Sequence, residues 1–147
     1  MSKLLARLQD ASRSGVYRAP RPDDVLDALR SSEFDVVRID LSGASDKSAL
    51  LARLAEALAF PLWFGGNWDA LEDCLTDLGW RARARHVLLI ENFEALRAGR
   101  PDDFGVLLDV LASSADYWRE RERPFFTVLV DPALTLALPD LYRPRSP

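Results

Sequence analysis

The sequence predicts an α/β fold in which a small three-stranded parallel sheet packs with helices. Three short segments have the β-branched, alternating or unbroken apolar composition of strands: residues 35–43, 86–90 and 124–131. The segments between them are long enough to form helices, and such crossovers return the chain in the same direction, so the strands should run parallel. The predicted α/β domain therefore covers residues 35–131.

The first strand and its crossover are predicted from alternation and helical spacing. "DVVRIDLSG" alternates apolar and polar residues and ends at Gly43. The next segment spaces four leucines along one helical stripe, with Ser45 as the predicted N-cap and Pro61 as the stop. A second helix should begin after Asn67 and run to about Leu78, with Gly79 as its exit signal. The leucines of the stripe are Leu50, Leu51, Leu54 and Leu58.

The second half of the predicted domain contains two further strands. "HVLLI" is an unbroken apolar run, which is typical of a strand buried on both faces. Residues 92–98 predict a short helix and residues 101–122 a long one. Pro101 suits the first turn of the long helix, and Asp102 and Asp103 complement its dipole. "PFFTVLVD" supplies the last strand.

The two ends of the chain flank this domain. Residues 1–34 are predicted to be an N-terminal extension with short helices at 4–11 and 23–31. The connecting "SGVYRAPRP" holds two prolines, so we expect it to cross the surface without regular structure. Residues 132–147 form a proline-rich tail whose end should fray.

Composition limits the possible functions. The 147 residues carry a net charge of −4, which disfavours a broad nucleic-acid surface and favours a cationic partner. The single cysteine, Cys74, cannot form an intramolecular disulfide, and no Cys and His spacing resembles a zinc site. We find neither a signal-peptide core nor a membrane span. The expectation is a cytoplasmic protein, monomeric when free, without cofactor.

Residues 60–80 hold three of the four tryptophans, four carboxylates and no basic residue. On a helix after Asn67, the apolar residues fall on one face and the acids on the other, where like charges a turn apart destabilise an isolated helix. The apolar face consists of Leu71, Cys74, Leu75 and Leu78, and the polar face of Asp69, Glu72, Asp73 and Thr76. A merely solvated acidic face remains an alternative, because such faces are common and tryptophans usually lie in cores.

The aromatic residues favour a binding surface. Trp63 and Phe64 precede the helix beside two glycines, and Trp68 lies in its first turn. Aromatic anchors at the rim of a carboxylate cluster are typical of a hot spot for a basic protein.

"FPLWFGGNWDALEDCLT" resembles the signature of the barstar family, intracellular inhibitors of barnase-type ribonucleases, in which an aromatic-glycine loop leads into an N-x-D-A-L-x-D-C-L helix. The order of strands and helices over 35–131 resembles that family too. The resemblance implies that Asp73 enters the nuclease active site in place of an RNA phosphate and that Asp69 pairs with basic residues. It implies that Trp63 packs on the catalytic histidine.

The resemblance also implies neighbouring contact positions at Gly65, Asn67 and Trp68. Glu72 replaces an aromatic contact of the family, and Trp80 matches a further aromatic only with a two-residue insertion. An outlying acid of the family falls near Ser113, where this chain has no obvious carboxylate.

The expected function is therefore occlusion of the active site of a small basic, secreted-type ribonuclease, without catalysis by this chain. A barstar-like module for a non-nuclease basic partner is the main alternative. An enzyme using Asp69 and Asp73 as an acid/base pair or magnesium ligands is disfavoured, because no nucleophile, phosphate loop or converging histidines accompany them. We interpret His86 as a structural cap, Cys74 as a small core residue, and Tyr117 with Trp118 as packing at a helix end.

Overall fold

Four parallel strands form a single sheet in the described part of the chain. The structure, a computed structural model, describes residues 2–143. The strands are β1 (Gly15–Ala19), β2 (Asp35–Asp40), β3 (His86–Glu91) and β4 (Phe125–Val130). Their order across the sheet is β1-β4-β3-β2. The predicted α/β class, the parallel direction and the strands β2, β3 and β4 are confirmed.

The prediction of three strands was wrong by one, because β1 lies in the segment expected to be irregular. Residues 15–19 pair with β4 from Gly15↔Phe126 to Ala19↔Val130, and the Tyr17 and Phe126 rings stack 5.8 Å apart. The strand stops just before Pro20, and an edge position tolerates a nearby proline. Pairing with a fully buried strand more than 100 residues away therefore decides the conformation of this short segment.

The tail after β4 covers the free edge of β1. The Arg18 N–H donates to the Pro139 carbonyl at 2.9 Å, and the Leu141 N–H donates to the Arg18 carbonyl at 3.0 Å. The predicted fraying concerns the end of this tail, and residues 144–147 lie outside the described residues.

Helices cover both faces of the sheet and form two apolar cores. Strand β3 alternates between them: Val87 and Leu89 face one core, whereas Leu88 and Ile90 face the other. This confirms the prediction of a strand buried on both faces. The helices are α1 (Lys3–Gln9), α2 (Asp23–Leu29), α3 (Lys47–Leu58), α4 (Trp68–Leu75), α5 (Glu94–Gly99) and α6 (Pro101–Glu120).

Several helix ends shift by one to three residues from the predicted bounds, and the N-cap of α3 and the end of α4 differ in the residues that form them. Asp46, not Ser45, caps α3, because its side chain accepts a hydrogen bond from the Ala49 N–H at 2.8 Å. Helix α4 ends at Leu75, and Leu78 rather than Gly79 takes the left-handed conformation, with φ 57°. Leu78 is buried in the core, so packing offsets the backbone cost of that conformation.

Candidate protein-binding site

Helix α4 begins at a side-chain cap and is oriented by its apolar face. The Asn67 Oδ1 accepts a hydrogen bond from the Ala70 N–H at 2.7 Å, as the sequence predicts. Leu71, Cys74 and Leu75 are fully buried. Because these three residues face the core, the helix turns its acidic side chains toward the surface.

The other end of α4 is tied to α6. The buried Trp118 ring donates from Nε1 to the Leu75 carbonyl at 2.8 Å, which satisfies a carbonyl left free at the end of α4. This confirms that Trp118 packs at a helix end. Burial raises the pKa of the Cys74 thiol to about 11, with the charges of Asp77 and Asp73 adding to the effect. Cys74 is a core residue, as predicted.

The acids of α4 and of the turn that follows it are displayed without local neutralisation. Asp69, Asp73 and Asp77 are exposed and Glu72 is half-buried. Across residues 2–143, none of these four carboxylates forms an ion pair. The Asp77 carboxylate accepts the Gly79 N–H at 2.9 Å and so serves the turn after the helix.

One cation lies closer to the site than the sequence indicated. Lys47, at the start of α3, places its Nζ 5.6 Å from the centre of the Trp68 ring. This is a cation–π contact, and it holds a half-buried ring whose other side packs on the core. Trp68 therefore leaves only part of its surface exposed.

The loop before α4 forms an aromatic cluster with Trp80. The Trp63 and Trp80 rings meet edge to face at 6.2 Å, and the Phe60 ring lies 6.0 Å from Trp80 and 4.9 Å from Phe64. Trp63 keeps 56% of its surface exposed. The structure thus brings together two predicted contact residues that are far apart in the sequence.

Trp80 is held in place by a hydrogen-bonded network that the sequence did not predict. Its Nε1 donates to the Leu58 carbonyl at 3.0 Å, and Arg81 Nη1 donates to the same carbonyl at 3.1 Å. Arg81 also forms a bidentate ion pair with Asp35, with both N–O distances 2.8 Å. His86 Nδ1 lies 3.1 Å from the same carboxylate. His86 is thus a buried partner of Asp35 rather than the cap the sequence suggested.

The stability of the protein should fall as pH drops from about 7.5 to 5 because of His86. Burial lowers the pKa of His86 below its usual 6.5, and Arg81 and Arg123 add to this while Asp35 opposes it. The unfolded chain then binds the proton first, so this contribution to stability is present above pH 6.5 and is lost below it. Urea unfolding midpoints across this range would measure the effect.

The matched variant is His86→Gln, because His86 is the only histidine. Its midpoint should vary less over the same range. Below about pH 4 both proteins should weaken further, because the Arg81 hydrogen bond holds the pKa of Asp35 below its usual 3.8. An equal loss in wild type and variant between pH 7.5 and 5 would contradict the assignment to His86.

Residues 2–143 contain no group of three or more His, Cys, Asp or Glu that could hold a metal ion. No described helix combines the length and apolar character needed to cross a membrane. A cavity of about 900 Å³ lies among α1, α2 and residues 142–143, and no residue of α4 lines it.

Comparisons with known proteins give one family and one fold. The family model described as "Barstar (barnase inhibitor)" matches residues 34–130, about two thirds of the chain, and thereby includes α4 and strands β2–β4 but not β1. No curated protein matches the chain significantly. Among solved structures, the ORC2 protein of Aeropyrum pernix, in ADPNP-ADP complexes, is similar with a TM-score of 0.56 and 14% identity. The match covers 86% of this chain but 37% of that protein, and at this identity it indicates a shared fold alone.

Proposed function

The chain belongs to the barstar family, and from this premise we propose that it inhibits a small basic ribonuclease by occluding its active site. The observation that carries the proposal is the surface of α4. Asp69, Glu72 and Asp73 lie on one helix without an ion-pair partner among residues 2–143, beside an exposed aromatic loop. A face that only needed solvation would not require this accumulation of like charge.

The mechanism that we propose is competition for cations. A ribonuclease must place basic side chains where RNA phosphates bind, and Asp73 takes the place of one phosphate while Asp69 pairs with neighbouring cations. A carboxylate offers no scissile bond, so the occupied nuclease is inactive. The Asn67 cap and the tie from Trp118 to Leu75 fix α4 beforehand, which lowers the ordering cost of binding.

The glycine at position 65 supports this proposal independently of charge. A Cβ atom built there would lie 3.7 Å from both Ala70 Cβ and Asn67 Nδ2, which is ordinary contact. Gly65 is not among the residues with positive φ, whereas Gly66 has φ +71°. Neither packing nor backbone conformation of the free chain requires glycine at 65, so close approach of a partner is a reason for it.

The other proposed contact residues differ in whether their polar groups already form hydrogen bonds within the free chain. The Asn67 Oδ1 is committed to the helix cap and the Trp80 Nε1 to Leu58, so Asn67 would contribute its amide N–H group and Trp80 its ring edge. The ring of Trp63 and the carboxylates are available. The proposed partner-binding residues are Trp63, Gly65, Asn67, Trp68, Asp69, Glu72, Asp73 and Trp80.

The proposed setting is the cytoplasm, with the free protein monomeric and the target a barnase-type nuclease. Glu72 favours a second candidate, a barstar-like module for a non-nuclease basic protein, because a carboxylate stands where the family resemblance implies an aromatic contact. A panel of small basic ribonucleases of the barnase type, barnase included, would test the proposal in an RNA-cleavage assay. Stoichiometric inhibition is expected; binding without inhibition would favour the second candidate.

Association should slow strongly as salt rises, whereas dissociation should change much less. Between about 10 mM and 1 M salt the Debye length falls from about 30 to about 3 Å, which removes long-range attraction between the acids of α4 and the cations of the partner. Stopped-flow rates would measure this for wild type and for Asp69→Asn, in which a smaller salt dependence is expected. An association rate that does not change with salt would contradict the electrostatic mechanism.

A further inference from the structure

Leu62 is far more exposed than the other large apolar residues of the described chain. Its relative exposure is 106%, whereas that of Leu134 is 38% and that of Val106 is 36%. A single exposed leucine on a surface is normal and needs no explanation. Leu62 differs because Trp63, which is 56% exposed, lies next to it in the loop that leads into the acidic helix.

Leu62 projects from a turn whose other residues are held by a hydrogen bond and by ring packing. The Phe64 N–H donates to the Pro61 carbonyl at 3.0 Å, so Leu62 and Trp63 are the two central residues of a tight turn. The Phe64 ring packs 4.9 Å from Phe60, and the Trp63 ring packs against the anchored Trp80. The turn is therefore held before any partner arrives, although the fully exposed Leu62 side chain has no packing role in the free chain.

We propose that Leu62 is an apolar anchor that inserts into a hydrophobic depression beside the cationic cleft of the basic partner protein. The inference rests on the proposed function, because the acids of α4 select that partner and Leu62 is continuous with them through Trp63. Buried apolar anchors at interfaces exclude water from neighbouring charge pairs and hold the complex together. The partner must therefore combine basic residues with adjacent apolar surface.

The charge of the loop and helix argues for a protein rather than an anionic surface as the occupant. Four carboxylates and no basic residue accompany Leu62 within residues 60–80, so RNA or an anionic lipid surface would be repelled. A protein with an apolar depression next to basic residues would complement both the exposed Leu62 and the acidic helix.

The test compares substitutions of Leu62 for which an electrostatic effect and an apolar anchor predict different changes in affinity. The probe is the barnase-type ribonuclease that wild type binds most tightly in the panel. Leu62→Ala should weaken binding on the order of tenfold to a hundredfold through faster dissociation, with an unchanged unfolding midpoint. Leu62→Glu adds negative charge and should associate faster, yet it should dissociate faster still. Leu134→Ala, the matched control, should bind like wild type.

Two outcomes separate this inference from the proposed function. If Leu62→Ala binds within about twofold of wild type, or Leu62→Glu binds more tightly than wild type, Leu62 is not an anchor. If Asp73→Ala still loses affinity in that case, the proposed role of the acidic helix is unaffected. Wild type that binds no member of the panel, or Asp73→Ala that binds like wild type, would overturn the proposed function and the anchor with it.

Discussion

Asp73→Ala should weaken binding to the target ribonuclease by about 2–5 kcal/mol or more, a range known for buried charge pairs in interfaces that include barnase–barstar. That corresponds to roughly thirtyfold to several thousandfold in affinity, chiefly through faster dissociation. The reason is that the cations of the partner would remain buried without a counter-charge. The free protein should be as stable as wild type or slightly more so, because one member of a like-charged pair is removed from an exposed helix face.

Asp77→Ala is the matched control for this substitution. Asp77 is an exposed carboxylate about one turn further along, so binding should change little. Its hydrogen bond to the Gly79 N–H predicts a small loss of stability, about 0.5–1.5 kcal/mol. Titration calorimetry and thermal unfolding of both variants would separate binding from folding. If Asp73→Ala binds like wild type, or loses binding only because it unfolds, the role assigned to Asp73 is wrong.

Leu71→Ala should lower the free energy of unfolding by about 2–5 kcal/mol. Leu71 is fully buried in the core that α4 shares with α3, α6 and the sheet, so truncation removes apolar contacts and leaves a cavity. This is a large fraction of the roughly 5–15 kcal/mol that stabilises a typical domain. Urea denaturation followed by tryptophan fluorescence would measure the loss.

Leu71→Met tests whether volume rather than chemistry is responsible, and it should cost less than about 1.5 kcal/mol. Leu75→Ala, fully buried on the same face, should behave like Leu71→Ala. At temperatures where Leu71→Ala is still folded it should retain binding, because Asp69 and Asp73 stay on the surface. Unchanged midpoints for both alanine variants would mean that α4 presents the opposite face to the core.

The part of the candidate site that lies on α4 was predictable from the sequence, because a single helical periodicity places its side chains. The 3.6-residue spacing that places Leu71, Cys74 and Leu75 on one side of α4 necessarily places Asp69 and Asp73 on the other. The Asn67 cap is equally local, since its hydrogen bond spans three residues. The exposure of Leu62 has a weaker sequence signal, an apolar residue in a loop bounded by proline and glycines.

Local sequence patterns predict the α/β class, the three strands β2, β3 and β4, and an amphipathic acidic helix, because each depends on the alternation or spacing of near neighbours. Tertiary packing, by contrast, makes residues 15–19 a fourth strand, since five residues at an edge are stabilised by pairing with β4. It also decided the position of Trp80, which Leu58 and the Arg81–Asp35 pair fix across 22 and 46 residues of sequence. Contacts at such separations depend on how the elements pack, and no local pattern of side chains specifies them.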